Sequence, residues 1–174
     1  MRGIRAVLAA ALIVTLAACA GTPLTADHPS QSQAAPPSFP PPNPSPDAPR
    51  DPRSMMVDRA LSMLGQPYRF GGAAPGGFDC SGLVAYAASG AGIRVPRTAA
   101  EQMGAGMPVA RGEVQAGDLV FMHLAHKELH VGIAIDKERF VHAPSSGGRV
   151  RIDSLASGPY AKGYLRARRI IVPP

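Results

Sequence analysis

The sequence lacks several features that would each indicate a class of protein. It contains no tryptophan and no block of Lys and Arg, although its formal net charge is +6. A nucleic-acid-binding protein needs basic residues clustered on one face, and here they are scattered, so we expect no nucleic acid partner. The mild positive charge would suit an anionic polymer such as a cell wall.

Long apolar runs are also missing. The N-terminal run, residues 6–18, follows Arg2 and Arg5 and is too short to span a bilayer, which is typical of a secretory signal peptide. The run ends in LAAC, which resembles the lipobox of bacterial lipoproteins. That resemblance implies a signal peptide over residues 1–18 and lipid on the sulfur and new amino group of Cys19. A plain signal peptide followed by an unrelated cysteine is the alternative.

Cysteine is scarce, because Cys19 and Cys80 are the only two. A lipid-bearing Cys19 cannot form a disulfide with Cys80. An exported protein would then keep one free thiol in an oxidising compartment, where a thiol without a use is unusual. Cys80 is therefore either a buried structural residue or a nucleophile.

Proline divides the chain into two zones. Residues 22–54 contain 11 of the 19 prolines. Such a segment cannot form a helix or a sheet and has little to bury, so residues 19–54 are predicted to be a lipidated N-terminus and a disordered linker. Residues 55–174, about 120 in number, are enough for one domain with its own core.

Helical signals precede strand signals within this domain. Residues 54–65 have apolar side chains at helical spacing, with Ser54 as the N-cap. A second helix is predicted to begin at Asp79, and residues 98–101 have the pattern of a capping box for a third. The second half of the domain contains short runs with the two-residue period of strands. Helices first and strands afterwards predict an α+β fold with an antiparallel sheet.

Cys80 falls in the first turn of the predicted second helix, directly after Asp79. The unpaired N–H groups and the dipole of a helix start favour a thiolate, which is the form that attacks carbonyls. The same position also suits a small buried residue, so the pattern alone leaves both interpretations open.

A nucleophilic cysteine also needs a base, and His130 and His142 lie on neighbouring predicted strands. If residues 136–138 form a three-residue turn, Gly132 lies opposite His142. His130 then lies diagonally across from His142 on the same face, at roughly 7 Å between Cα atoms. A two-residue turn would place the histidines on opposite faces, and the sequence does not fix the turn.

Together these residues suggest a relay. His130 takes the proton of Cys80, and His142 hydrogen-bonds the far ring nitrogen of His130 and so holds its tautomer and orientation. The usual orienting residue is Asp or Asn, and here His takes that place. Two ordinary sheet histidines, each bonded to backbone, are the alternative.

A third histidine pattern suggests a metal site. His123, His126 and His130 are spaced closely enough to be read as metal ligands, but no Cys ligand accompanies them and Glu128 is the only nearby carboxylate. We therefore expect no metal and no cofactor.

Six short motifs resemble the NlpC/P60 family of papain-like cysteine peptidases. They occur in the family's order and cover essentially all of residues 55–174. Cys80 lies at the centre of the motif that resembles the family's nucleophile motif. The motifs are GQPYRFGG (65–72), FDCSGLV (78–84), VPRTAAEQ (95–102), GDLVFM (117–122), HVGIAI (130–135) and FVHAPSSGG (140–148).

The resemblance implies a fold and a reaction. The fold would be papain-like α+β, with the nucleophile helix packed on an antiparallel sheet. The reaction would be hydrolysis of peptide bonds in peptidoglycan, with Cys80 as nucleophile, His130 as base and His142 as the third polar residue. A non-catalytic murein-binding lipoprotein, or an amidase or acyltransferase on the same fold, remains the alternative.

The resemblance also implies roles for three residues around Cys80. Tyr68 matches a family tyrosine that helps to shape the oxyanion region. Asp79 and Ser81 match positions that bind the free N-terminal amine of the stem peptide in some relatives, although Asp79 can equally be only a helix cap.

The lipobox and the single domain together resemble the outer-membrane murein endopeptidase lipoproteins of Gram-negative bacteria. This implies a place in the cell envelope, anchored to the outer membrane through Cys19 and facing the periplasm, with peptidoglycan as the partner. Ala20 follows Cys19 where a signal for retention in the inner membrane would have Asp. A regulatory protein partner is compatible with this arrangement but is not identified by the sequence.

Overall fold

Three helices of the described chain precede its main sheet and a fourth lies before the last strand, which confirms the predicted α+β class. The computed structural model describes residues 50–124, 128–146 and 148–170. The predicted signal peptide, Cys19, most of the proline-rich segment and His126 lie outside the described residues. All described residues belong to one compact unit.

The described residues form four α-helices. These are α1 (Pro52–Leu61), α2 (Cys80–Gly90), α3 (Ala99–Gly104) and α4 (Gly158–Gly163). The prediction of Ser54 as the first N-cap is wrong, because the Asp51 carboxylate caps α1 and a proline occupies its first turn. The capping box predicted for α3, between Thr98 and Glu101, is confirmed. The helix α4 had no counterpart in the sequence analysis.

The described residues also form a six-stranded antiparallel sheet and a two-stranded ribbon. The ribbon consists of β1 (Ala73–Ala74) and β2 (Gly77–Phe78). The sheet consists of β3 (Met107–Val109), β4 (Leu119–His123), β5 (Leu129–Ala134), β6 (Arg139–His142), β7 (Arg151–Ser154) and β8 (Tyr164–Arg169). The order across the sheet is β3-β8-β4-β5-β6-β7. The strands β4 to β8 were predicted, whereas β3 and the ribbon were not.

The helix α2 packs on one face of this sheet, as the family resemblance implied. Phe121 and Val131 belong to the same buried cluster as Leu83 of α2. Val120 and Phe140 belong to a second buried cluster, because successive side chains of a strand point to opposite faces. Burying side chains of this size stabilises the fold by about 1.5–3 kcal/mol each. The central strands are therefore buried on both faces of the sheet, and α2 packs on one of these two faces.

The turn between β5 and β6 has the length that the relay requires. Ile135 N donates to Arg139 O at 2.9 Å, which closes a three-residue turn over residues 136–138. The register of the two strands, continued past their last pair, sets Gly132 beside His142. A Cβ atom added to Gly132 would lie 3.1 Å from the His142 Cβ. The predicted turn and the predicted neighbours are therefore confirmed.

Candidate active site

Cys80 is the first residue of α2 and lies half-buried against the backbone of β5. Asp79 is the N-cap of α2, as predicted. The backbone N–H of Val131 points to the Cys80 sulfur at the part of β5 where β6 no longer pairs with it. The thiol therefore lies one residue along the strand from His130.

The start of α2 favours a thiolate, as predicted, but burial outweighs this effect in the resting protein. Burial raises the pKa of the Cys80 thiol, and the charge of Asp79 raises it further. The backbone N–H groups of Val131 and Ser81 lower that pKa, but they do not outweigh burial. The resting thiol is therefore neutral, and it needs a base that removes its proton when it attacks.

His130 and His142 form a directly bonded pair. Nε2 of His130 lies 2.7 Å from Nδ1 of His142, and the two rings meet edge to face at 85°. Their exposed fractions are 2% and 0%. Burial lowers the pKa of His130 to about 3, helped by its neighbours His142 and Arg151. Burial lowers the pKa of His142 to about 4, although Asp153 opposes this shift.

Both histidines are therefore neutral near pH 7, and each can donate one hydrogen bond and accept one. The 2.7 Å contact engages the Nε2 of His130, so its Nδ1 is the ring nitrogen left for the Cys80 proton. The two histidines bond to each other, and the transfer of the Cys80 proton to His130 stays a prediction.

The hydrogen-bond chain continues past His142 into β7. The Asp153 Oδ2 atom lies 2.8 Å from the His142 Nε2 and accepts a bond of 2.7 Å from the Arg151 Nε. Arg151 also donates to the Tyr160 hydroxyl at 3.0 Å. Arg151, Asp153 and Tyr160 were not predicted from the sequence. The available signal was the spacing of Arg151 and Asp153, which places them on one face of a strand next to β6.

Asp79 holds the start of α2 to its surroundings. Its carboxylate accepts hydrogen bonds from the Gly82 and Gly71 backbone N–H groups at 2.6 and 3.0 Å. Arg97 donates to both of its oxygens, at 3.0 and 2.7 Å. Partial burial opposes ionisation, but Arg97 and Gly82 outweigh it and lower the pKa of Asp79.

The predicted binding of a substrate amine by Asp79 and Ser81 stays a prediction. Ser81 is buried, and its hydroxyl lies 3.2 Å from Asp79 and accepts a bond of 3.1 Å from Arg97. These contacts already occupy the polar atoms that an amine would need. The contacts of Asp79 are those of a helix cap and an anchor for Arg97.

Tyr68 lies beside the thiol. Partial burial raises the pKa of its phenol, and the charges of Cys80 and Asp79 raise it further. The phenol is therefore protonated at neutral pH and can donate a hydrogen bond. Its backbone is fixed by a bond from Tyr68 N to Gly148 O of 2.7 Å. The structure thus places a neutral hydroxyl donor near Cys80, and its part in an oxyanion region stays a prediction.

The comparison with known families decides the assignment. Residues 65–169 match the NlpC/P60 family. The chain belongs to the NlpC/P60 family. The matched range contains Cys80, His130 and His142, and it also contains Asp153.

Curated proteins similar to this NlpC/P60 chain include two enzymes of Escherichia coli. Murein DD-endopeptidase MepH of strain K12 is 37% identical over 123 residues, which cover 67% of this chain and 45% of MepH. Murein DD-endopeptidase MepS/Murein LD-carboxypeptidase of the same strain is 37% identical over 122 residues, covering 70% of this chain and 64% of the relative. The chain therefore spans less than two thirds of the length of both relatives.

Solved structures support the same fold. An NlpC/P60 family protein from Bacillus cereus has a TM-score of 0.64 and 30% identity, with coverage of 70% of this chain and 41% of the other. The peptidoglycan hydrolase RipB from Mycobacterium tuberculosis has a TM-score of 0.60 and 30% identity, with coverage of 70% and 65%. The fold is the papain-like α+β fold of the NlpC/P60 family.

The NlpC/P60 domain shows no metal cluster among the residues that the structure describes. His123 lies exposed at the end of β4, and His130 is bonded to His142 instead. The middle histidine of the suggested triplet, His126, lies outside the described residues. Within the described ranges, every helix is also too short or too polar to cross a membrane.

Proposed function

We propose that this NlpC/P60 domain hydrolyses peptide bonds of peptidoglycan through Cys80, His130 and His142. The observation that carries the proposal is the 2.7 Å bond between two buried, neutral imidazoles, with the half-buried Cys80 thiol at the backbone N–H of Val131, one residue along β5 from His130. Relatives that are 37% identical to this chain over 123 and 122 aligned residues are named murein DD-endopeptidases. A binding module would have no need of a nucleophile, a base and an orienting residue together.

The proposed reaction has two halves. The Cys80 thiol gives its proton to the His130 Nδ1 while its sulfur attacks the carbonyl carbon of the scissile bond. The C–N bond then breaks, and His130 passes the proton to the leaving amine. Water attacks the resulting thioester with His130 as base, the C–S bond breaks, and the proton returns to the sulfur. His142 holds the imidazole of His130 in place throughout.

The low pKa of His130 fits this sequence of steps. A buried imidazolium on its own is unfavourable, which is why burial lowers the pKa of His130 to about 3. The imidazolium forms only while negative charge develops on the attacking sulfur or on the oxygen of a tetrahedral intermediate, so the two charges arise together. Proton transfer is thereby coupled to attack instead of preceding it.

Tyr68 is proposed to stabilise the oxygen of the tetrahedral intermediate. Its neutral hydroxyl lies near Cys80, and the backbone N–H groups at the start of α2 supply further donors. Donors fixed by the fold act on the charge that develops in the transition state, where water is partly excluded.

The finer assignments are proposals as well. Cys19 carries the lipid anchor, residues 19–54 form the linker, and the protein is an outer-membrane lipoprotein that faces the periplasm. The LAAC sequence and the proline content support this arrangement. Replacing Cys19 with Ser should move the protein from the membrane fraction to the soluble fraction, and an unchanged distribution would contradict the anchor.

The test of the function is a digest of purified sacculi with the protein, beside its Cys80→Ala variant and a His123→Ala control. Released fragments would be identified by liquid chromatography and mass spectrometry. We expect new muropeptides from the wild type and from the His123→Ala control, and none from Cys80→Ala. The masses would name the bond, which includes the choice between a D,D-cross-link and a bond of the stem peptide.

Other products separate the remaining alternatives. Acyl groups moved to an acceptor other than water would indicate an acyltransferase, and cleavage of the bond between sugar and peptide would indicate an amidase. Binding to sacculi by both wild type and Cys80→Ala, with no cleavage by either, would contradict the proposed function and favour a binding protein.

A further inference from the structure

Asp153 ends the hydrogen-bond chain that begins at the thiol. It lies on β7, its side chain is mostly buried, and its Oδ2 atom lies 2.8 Å from the His142 Nε2. The same oxygen accepts the Arg151 Nε–H at 2.7 Å.

We propose that Asp153 is a positioning residue that sets the proton positions on both histidines, so that His130 presents an unprotonated Nδ1 to Cys80. The inference rests on the proposed catalytic set of Cys80, His130 and His142. It adds a fourth member that acts only through His142.

Asp153 carries a negative charge at neutral pH. Partial burial opposes its ionisation, but hydrogen bonds from Arg151 and His142 outweigh burial and lower the pKa of Asp153. Arg151 is permanently protonated. An ionised carboxylate can only accept hydrogen bonds, so the 2.8 Å contact requires a proton on the His142 Nε2.

Because His130 and His142 are both neutral, each ring carries one proton and has one bare nitrogen. A neutral His142 with its proton on Nε2 has a bare Nδ1, which can only accept. The 2.7 Å contact with His130 therefore requires the proton of His130 to lie on its Nε2. A neutral His130 with that proton has a bare Nδ1, which is the form of the ring that can take a proton from Cys80.

Without the Asp153 carboxylate, the protons on the two histidines could move to the other ring nitrogens. If His142 moved its proton to Nδ1, it would donate to the His130 Nε2, and the single proton of His130 would move to Nδ1. That ring could no longer accept the Cys80 proton. Removing the Asp153 carboxylate would thus disable His130 as a base, although neither His130 nor Cys80 is changed.

The surroundings hold Asp153 in the accepting position. Arg151 lies directly across from His142 in the β6–β7 pair, and Asp153 lies across from Phe140 on the same face. Arg151 is itself bonded to the Tyr160 hydroxyl at 3.0 Å, and the Tyr160 ring meets the His142 ring edge to face at 5.1 Å. The charged and titratable groups around His142 are thus His130 on β5, Arg151 and Asp153 on β7, and Tyr160 on α4.

The test reads the tautomers directly. Nitrogen chemical shifts of ¹⁵N-labelled histidine distinguish Nδ1–H from Nε2–H, and single histidine variants of the full chain assign the signals. In the wild type we expect the Nε2–H tautomer at both His130 and His142. A wild type with Nδ1–H at either position would overturn the inference.

The second readout is alkylation of Cys80 by iodoacetamide at neutral pH, quantified on the Cys80 peptide by mass spectrometry. Asp153→Ala should mix the tautomers and slow alkylation by at least about tenfold, since a wrong tautomer in a comparable triad costs up to about 10⁴-fold. Asp153→Asn should retain the tautomers, unlike the same change in that triad, because Arg151 and His142 bond to the same oxygen and the Arg151 Nε–H requires an acceptor there. It should therefore alkylate faster than Asp153→Ala.

Asp136→Asn is the matched control. Asp136 also pairs with an arginine, Arg139, at 2.7 Å, but it lies in the turn before β6 and takes no part in the hydrogen bonds that join His130, His142 and Asp153. It should leave the tautomers and alkylation unchanged. Wild-type tautomers and alkylation in Asp153→Ala would overturn the inference, and so would altered tautomers with unchanged alkylation.

If Asp153→Ala does not fold, the wild-type tautomers still decide, because an Nδ1–H tautomer at His130 or His142 overturns the inference. Neither readout needs a substrate. Sacculi that remain intact while the tautomers are as expected would therefore contradict the proposed function and leave this inference standing.

Discussion

Gly132 lies beside His142 with no room for a side chain between them. A Cβ atom on Gly132 would lie 2.5 Å from the Phe140 Cδ2, 2.9 Å from the Val141 O and 3.1 Å from the His142 Cβ. Phe140 is fully buried and packs on His142 at 4.5 Å between ring centroids, so it has little freedom to move away. The glycine therefore provides the space in which the histidine pair forms.

Gly132→Ala should damage both stability and activity. The added methyl group must displace Phe140 or His142, and overpacking of a buried site costs about 1–3 kcal/mol of the free energy of unfolding. Displacement of His142 would also lengthen its 2.7 Å bond to His130 and lower kcat. Urea denaturation and a turnover assay on muropeptides would measure the two effects.

Gly112→Ala is the control for that change, because a Cβ atom there would meet no atom within 4 Å. It should leave stability and kcat near their wild-type values. If Gly132→Ala behaved like Gly112→Ala, the proposed steric role of Gly132 would be wrong.

The free energy of unfolding should fall as the pH falls below about 6.5. The pKa values of His130 and His142 are about 3 and about 4 in the folded protein, below the ordinary value of about 6.5 in the unfolded chain. Between these values the unfolded chain binds protons that the folded protein does not, so acid favours unfolding. His142 alone should account for about 3 kcal/mol by pH 4, at about 1.4 kcal/mol per pKa unit.

Urea denaturation at several pH values between 7 and 4.5 would measure this dependence. The His142→Asn variant should show a shallower slope than the wild type, whatever its absolute stability. His123→Ala is the control and should keep the wild-type slope, because His123 is exposed. Equal slopes in all three proteins would show that the buried histidines do not govern acid unfolding.

Asp79→Ala should reduce both stability and activity. It removes the cap of α2 and the anchor of Arg97 and Gly71. Loss of a helix cap typically costs about 1 kcal/mol, and a displaced Cys80 would meet its base less often. Thermal unfolding and kcat on muropeptides would report the change.

Asp51→Ala is the matched control, because Asp51 caps α1 in a similar way but is exposed and distant from the thiol along the chain. It should lose similar stability and keep its kcat. A rise in KM confined to substrates with a free amine, in a stable Asp79→Asn variant, would instead support the predicted amine binding.

Tyr68→Phe should lower kcat and leave KM and stability nearly unchanged. The phenol is proposed to act on the charge of the tetrahedral intermediate, and loss of one such donor typically costs about 10²-fold or more in kcat. Tyr86→Phe is the control, since Tyr86 packs between Arg59 and Phe78 in the helical layer. Equal effects of the two substitutions would argue against a role of Tyr68 at the oxyanion.

Local chemistry predicted much of the fold. The capping box at Thr98, the cap at Asp79 and the three-residue turn before Arg139 depend on residues close in sequence, and all three are present. That turn fixed the register, and the register placed His130 and His142 on one face. The prediction failed where two local signals compete, because Asp51 followed by a proline caps α1 more effectively than Ser54.

Distant pairing explains what the sequence analysis missed. Arg97 meets Asp79 across 18 residues of chain, and Asp153 meets His142 from a strand whose pairing no local pattern specifies. The pKa of Cys80 was misjudged for a similar reason. A helix start favours the thiolate, but burial comes from tertiary packing and outweighs it.

The strands β5, β6 and β7 follow one another in the chain and in the sheet, whereas α2 comes about 50 residues earlier than β5. The histidine pair and its carboxylate can thus assemble from neighbouring hairpins, with short loops to close. The nucleophile joins them only after a long loop closes and α2 docks, which is entropically harder and slower. The rate at which Cys80 becomes alkylated during refolding would therefore report when α2 docks on the sheet. Before that step, a partly folded chain has the histidine pair in place but not Cys80.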